Sequence, residues 1–140
     1  MVPTVVINYS AVLVAAIISM ILGIVWYSPA LFGRSWMQSA GLSRADVARA
    51  KKKGMTRAYV LAFIGSLVMS FVLAHLIRYT TATTLTDGFQ TGFWVWLGFA
   101  TPLLLGSTLW EGRPWKFYLI NSAYYLLSLL VMGGLLALWQ

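Results

Sequence analysis

Four long apolar stretches divide the 140-residue chain, and its polar residues collect between them. The stretches cover about residues 5–27, 58–77, 89–110 and 117–139. Each is long enough for a helix to cross the hydrocarbon core of a bilayer, which takes about 20 apolar residues. None shows the alternation over about ten residues that a membrane β-strand requires. The pattern predicts an all-α, four-span transmembrane helical bundle that forms a single membrane domain over residues 1–140.

Composition agrees with a membrane protein. Hydrophobic residues make up 60% of the chain and charged residues only 9%, and the mean hydropathy is +0.80. Ten basic and three acidic side chains are too few to cover a soluble domain of this size, of which about a quarter is usually charged. With no cysteine, one histidine and three carboxylates, the chain has few groups for catalysis or metal ligation. We therefore expect neither an enzyme nor a cofactor.

The net charge of +7 is concentrated on one side of the predicted spans. Eight of the ten basic residues lie in the two connections at 28–56 and 111–116, a ninth, Arg57, directly follows the first of them, and the remaining one, Arg78, lies in the opposite connection. The positive-inside rule places these two loops in the cytoplasm, so both termini lie outside. The charge thus indicates orientation, and no nucleic-acid partner is expected because the basic residues adjoin a span.

The loop at 28–56 contains a helix-start motif. Ser43 followed by Asp46 is typical of a helix N-cap, and Gly54 ends the pattern after Lys53. We expect one short interfacial or cytoplasmic helix between spans one and two. A basic cluster at its end is a candidate contact for anionic phospholipid, worth about 1 kcal/mol per residue near the surface; the alternative is that it only sets topology. The cluster comprises Arg49, Lys51, Lys52, Lys53 and Arg57.

Small residues recur every fourth position in the first two spans. Residues four apart lie on one face of a helix, and small side chains there allow close helix packing in lipid. The two rows predict a tight hairpin of spans one and two, or a contact between copies of the chain. The candidate packing residues are Ala11, Ala15, Ser19 and Gly23 in span one, and Ala58, Ala62, Ser66, Ser70 and Ala74 in span two.

Polar side chains within the spans form the candidate site. An amide, hydroxyl or phenol in lipid needs a partner, so we expect these groups to face the bundle interior. They either bond one helix to another or line a neutral polar pocket. The candidates are Asn8, Ser19, Thr101, Asn121, Tyr125 and Ser128.

Several short motifs together resemble a known family. They are Ile7-Asn8-Tyr9 and Trp26-Tyr27-Ser28-Pro29 at the ends of span one, and Ile120-Asn121 with Tyr124-Tyr125 in span four. Over nearly its whole length the chain resembles the small bacterial integral membrane proteins catalogued as domain of unknown function 1761. The resemblance implies a four-span protein of the bacterial plasma (inner) membrane. It implies no activity, substrate or cofactor.

Two functional hypotheses follow from these observations. The first is a structural or interaction bundle that forms a homo-oligomer or binds another membrane protein, because small-residue rows are present and reactive groups are scarce. The alternative is an oligomeric small transporter or channel that uses the neutral polar pocket. A membrane enzyme is disfavoured because His75 and Glu111 are predicted on opposite sides of the bilayer.

Overall fold

The computed structural model describes all 140 residues and contains helices but no strand, which confirms the predicted fold class. Its helices are α1 (Tyr9–Trp26), α2 (Gly33–Ala40), α3 (Arg44–Lys53), α4 (Thr56–Tyr79), α5 (Leu85–Leu109) and α6 (Trp115–Leu138). Helices α1, α4, α5 and α6 are long and apolar enough to cross a membrane, which indicates a membrane protein.

Both chain termini meet the connection between α4 and α5 at one end of the bundle, which we call the terminal end. The Arg78 guanidinium donates to the Val6 carbonyl at 2.9 Å and to Gln140 Oε1 at 2.6 Å. Helix α1 begins at Tyr9, later than the predicted start near residue 5. The reason is that Asn8 is its N-cap, whose Oδ1 accepts the amide hydrogen of Ala11.

The opposite end of the bundle, which we call the basic end, carries two short helices where the sequence predicts one. Helix α3 has the predicted capping box: Ser43 and Asp46 each accept the other's backbone amide, at 3.1 and 2.9 Å. These hydrogen bonds hold the pKa of the Asp46 carboxyl below its usual value. Helix α3 buries no residue and ends at Gly54, whose φ is 88°.

Helix α2 is the short helix that the sequence pattern missed. It packs against the start of α6, where the ring of Trp36 stacks on Phe117 with centroids 6.2 Å apart. The Arg113 guanidinium donates to the carbonyl of Ala40, the last residue of α2. The connection between α5 and α6 is therefore tied to α2 at the basic end.

Helix α6 is the centre of the bundle, because it contacts α1, α2, α4 and α5. Its closest contact is with the first half of α5, at Gly88 and Gly92. A Cβ on Gly92 would overlap the carbonyl of Leu129, and one on Gly88 would overlap the carbonyl of Gly133. The backbones of α5 and α6 are therefore in direct contact at Gly88 and Gly92, which we call the glycine seam. This is the closest approach that helices in lipid can make.

The middle of α5 departs from α-helical geometry. Pro102 has no amide hydrogen, so the α-helical bond to the carbonyl of Gly98 cannot form. The sequence pattern predicts a kink there. The structure contains a π turn over Trp96–Ala100, in which the Thr101 amide donates to the Trp96 carbonyl, and a further break at Leu105. Only 6% of the most apolar window of α5 is buried, against 44% for α6.

The glycine seam predicts a sharp difference between two Gly→Ala variants. We expect Gly92→Ala to lower the free energy of unfolding by about 1–3 kcal/mol, because the new methyl group forces α5 away from α6. At Gly65 in α4 an added Cβ meets no atom within 4 Å. Gly65→Ala should therefore be neutral, or stabilising by roughly 0.5–1 kcal/mol.

Unfolding of both variants in detergent, followed by circular dichroism, tests this difference. Equal stability of Gly92→Ala and Gly65→Ala would show that the seam does not hold the bundle together.

Candidate functional site

Buried hydroxyl groups join α1 to α6 in the middle of the bundle. Ser19 Oγ lies 2.7 Å from Ser128 Oγ, and the phenol of Tyr124 donates to the Ser19 carbonyl at 2.9 Å. Both serines are fully buried and Tyr124 is nearly so. Ser19 and Ser128 are therefore hydrogen-bonded to each other, and neither faces an open pocket.

A second set of polar contacts lies closer to the basic end. The phenol of Tyr27 donates to Asn121 Oδ1 at 2.6 Å, and the indole of Trp26 donates to the Ile120 carbonyl at 3.1 Å. Both bonds again join the chain at the end of α1 to α6. An indole bonded to a helix carbonyl holds two helices at a defined angle as well as occupying the headgroup level.

Of the six residues predicted to share a polar interior, only Ser19 and Ser128 are brought together. Asn8 caps α1 at the terminal end, while Asn121 lies near the basic end, so the two amides do not share a pocket. Thr101 donates to the Leu97 carbonyl in its own helix at 3.0 Å. Among buried side-chain polar atoms only Thr108 Oγ1 lacks a hydrogen-bond partner. The interior is thus a set of paired groups.

The small-residue row of α1 lies against its neighbours over its whole length. Ala11, Ala15 and Ser19 are buried. A Cβ on Gly23 would come within 3.0 Å of the Tyr124 phenol oxygen, so this glycine leaves room for that ring. The row therefore provides close contact with both α4 and α6.

The row of α4 packs over only part of its length. Ser66, Ser70 and Ala74 are buried, and Ser70 Oγ donates to the Val12 carbonyl of α1 at 2.8 Å. Ala58 and Ala62, at the basic end, are exposed, so the predicted packing of these two residues is not formed within the chain. Positions four apart rotate by about 40° per step, because a turn has 3.6 residues, and the row winds off the contact face.

A cleft of about 590 Å³ opens where α4 diverges from α1 and α6. Tyr27 and Gly23 line its α1 side, Tyr125 lines its α6 side, and Ala62 and Met69 line its α4 side. Eight of its eleven lining residues are hydrophobic. The phenol of Tyr125 makes no hydrogen bond within the chain, unlike that of Tyr27. This cleft is the largest in the bundle and is the candidate functional site.

The side chains that could serve acid–base chemistry, His75 and Glu111, do not line the cleft and lie toward opposite ends of the bundle. His75 Nδ1 is 2.8 Å from the Phe71 carbonyl in its own helix, toward the terminal end. Glu111 is exposed at the basic end and forms no ion pair. The geometry can bind an apolar group beside a phenol, but it assembles no nucleophile with a base.

The glycines that carry the closest packing have a signal in the sequence, whereas the tyrosine that bonds Asn121 has none. Gly88 and Gly92 have the four-residue spacing of a membrane packing motif, which is a signal present in the sequence. Tyr27, the partner of Asn121, gives no such signal. It contacts Asn121 only because α1 and α6 are antiparallel neighbours, which depends on the tertiary structure.

Two of the four tyrosines that line the cleft offer a matched test of the polar contacts. Tyr27→Phe removes the donor to Asn121 and should lower the free energy of unfolding by about 1 kcal/mol. Tyr125→Phe removes a phenol that makes no bond within the chain and should leave stability nearly unchanged. Unfolding curves in detergent measure both. A Tyr27→Phe variant as stable as the wild type would contradict a stabilising role for this bond.

Comparison with known proteins places the chain in one family. No curated protein and no solved structure matches it. The model of the family described as protein of unknown function (DUF1761) matches residues 10–137, which is nearly the whole chain. The chain belongs to the DUF1761 family.

Proposed function

We propose that this protein is a structural membrane bundle of the bacterial plasma membrane that associates with a second copy of itself through the basic half of α5. Loops 28–56 and 111–116 would face the cytoplasm and both termini the outside, because nine of ten basic residues lie in those loops or, for Arg57, directly beside them. The protein has no catalytic role in this proposal. The observation that carries it is a long apolar helix whose irregular half contacts α6 on one side and leaves Gly98, Phe99 and Leu103 exposed on the other.

The pairing of interior polar groups favours a structural role over a transporter. A permeation path needs polar groups that are free to bind a solute. Here Ser19, Ser128 and Asn121 are already bonded to other side chains, across α1 and α6. Their bonds act on helix–helix packing, which supports a bundle whose purpose is assembly.

The basic half of α5 supplies the surface for association. Its side chains at Phe99 and Leu103 are 70% and 79% exposed. In lipid, a helix with proline or glycine is tolerated when neighbouring helices, hydroxyl groups or π turns satisfy the freed backbone groups. Thr101 and the π turn supply part of this within α5, and α6 contacts one side of it through the bond from the Trp96 indole to the Ser122 carbonyl at 2.8 Å, while Phe99 and Leu103 stay exposed.

Gly98 marks the centre of this surface. It is exposed, and a Cβ added there would meet no atom within 4 Å. Small residues at such positions let two membrane helices approach closely enough for backbone contact. A second α5 packed at Gly98 would also cover the carbonyl that Pro102 leaves without its α-helical donor.

Single-cysteine crosslinking in membranes tests where copies meet. The wild type has no cysteine, so each variant carries one thiol. We expect Leu103→Cys to form a disulfide-linked dimer under mild oxidation, seen on a non-reducing gel. Ile21→Cys is a control on the exposed side of α1, where the side chain is 53% exposed, and it should stay monomeric. Equal crosslinking of both variants would indicate random collision.

A bulky side chain at Gly98 provides the second test. We expect Gly98→Phe to weaken self-association in detergent by at least about tenfold, measured by sedimentation or energy transfer between labelled copies. Gly65→Phe is the matched control, because an added Cβ there also meets open space. If Gly98→Phe dimerises as the wild type does, this interface is excluded. That result would not contradict the fold of the monomer.

A further inference from the structure

The cleft between α4 and the pair α1–α6 has the depth of one membrane leaflet. On α4 it extends from Tyr59, in the first turns of the helix, to Met69 near its middle. Ten residues of α-helix rise about 15 Å, which is half of the roughly 30 Å hydrocarbon core. Its volume of about 590 Å³ lies within the usual range for small-molecule sites, roughly 300–1,000 Å³.

The walls of the cleft suit a flexible apolar chain better than a helix. Ala62, Gly65 and Gly23 line it with little side-chain volume, and Met69 is the lining residue of α4 farthest from the basic end. A helix with its side chains is about 10 Å wide, so it would have to displace the rings of Tyr59 and Tyr125. An unbranched hydrocarbon chain is much narrower than a helix and therefore needs less room between these rings.

The mouth of the cleft lies beside the basic cluster. Arg57 lies in the first turn of α4 and Lys53 ends α3 three residues before α4 begins, so both are at the level of the mouth, although neither lines the wall of the cleft. Both side chains are exposed and neither forms an ion pair. Two carboxylates lie at this end of the bundle: Asp46 is paired with Arg49 at 2.8 Å, and Glu111 is on the connection between α5 and α6. The mouth therefore offers positive charge to an anion at headgroup level.

Two unbonded phenols line the cleft at different depths, that of Tyr59 near the mouth and that of Tyr125 ten residues into α6. The hydroxyl groups of Tyr59 and Tyr125 make no hydrogen bond within the chain. A phenol at membrane depth is costly without a partner. The ester carbonyls of a glycerophospholipid lie between its charged headgroup and its acyl chains, in the same order of chemistry as the cleft presents.

We propose that the cleft binds one anionic phospholipid of the leaflet at the basic end. One acyl chain fills the channel beside Ala62 and Gly65, the ester region accepts hydrogen bonds from the tyrosine phenols, and the phosphate lies against Lys53 and Arg57. This site goes beyond the proposed self-association and does not depend on it, because the cleft lies beneath α4 and the proposed interface lies on α5.

Native mass spectrometry of the full chain, released from detergent with added lipid, tests the site. The probes are phosphatidylglycerol and phosphatidylcholine with identical oleoyl chains. We expect the wild type to retain one phosphatidylglycerol per chain with about tenfold preference over phosphatidylcholine. Gly65→Phe places a ring in the channel and should abolish retention, whereas Gly98→Phe, whose ring lies outside the cleft, should retain lipid as the wild type does.

Matched charge variants separate a defined site from general attraction. We expect the double variant Lys53→Gln, Arg57→Gln to reduce phosphatidylglycerol retention to the level of phosphatidylcholine. The control Arg34→Gln, Arg44→Gln removes the same charge from exposed positions on α2 and α3 and should change little. Equal loss in both double variants would overturn the site, because it would show that only the total charge of this end attracts the lipid.

Two further outcomes would also overturn the proposal. Retention by Gly65→Phe equal to that of the wild type would place the lipid elsewhere. A disulfide-linked dimer of Ala62→Cys, formed in membranes, would show that a second copy occupies the cleft. Loss of the dimer in Gly98→Phe with lipid retained would confirm that the two proposals concern different surfaces, and either can fail without the other.

Discussion

The contact of main chain with main chain between α5 and α6 is the constraint on which the rest of the bundle depends. In lipid, helices gain nothing by moving apolar side chains away from water, so they associate by close packing and by hydrogen bonds. Gly88 and Gly92 on α5, with Gly133 on α6, remove every side chain from the point of contact. This fixes α6 as the central helix, and α1 and α4 then pack on the faces of α6 that α5 leaves free.

Hydrogen bonds attach the remaining helices to the pair that the glycines bring together. Helix α1 is attached to α6 by the Ser19–Ser128 pair and by the bond from Tyr27 to Asn121. Helix α4 is attached to α1 by the bond from Ser70 to the Val12 carbonyl. Each bond satisfies groups that would otherwise be costly in hydrocarbon, so the partners are specified by chemistry as well as by shape. A bundle of only four helices thereby specifies its neighbours without any interior ion pair.

The sequence predicts the elements of this fold better than their contacts, for physical reasons. Span length follows from bilayer thickness, and the cap of α3 follows from local chemistry at Ser43 and Asp46, so both can be read directly. The role of Asn8 cannot be predicted in this way. An amide near the start of a span can cap the helix or face the bundle interior, and which of the two it does depends on the helix beginning at Tyr9. Spacing alone also overestimates the row of α4, since its first members rotate away from α1.

The two ends of the bundle differ because side chains of different size lie between α4 and α6. At the terminal end, Leu73 and Ile77 of α4 pack on Met132 and Leu136 of α6, and all four are buried. Toward the basic end, α4 presents Ala62 and Gly65 to the ring of Tyr125, which is too long to be covered by residues of that size. Helix α4 therefore diverges, and the space between it and α6 is closed only on one side. A packed membrane core avoids such a gap when side-chain volumes match, and here the sequence pairs the smallest residues of α4 with the tyrosines of α6. The small residues of α4 thus account for the open basic end, whereas the other half of the same helix packs against its neighbours through Leu73 and Ile77.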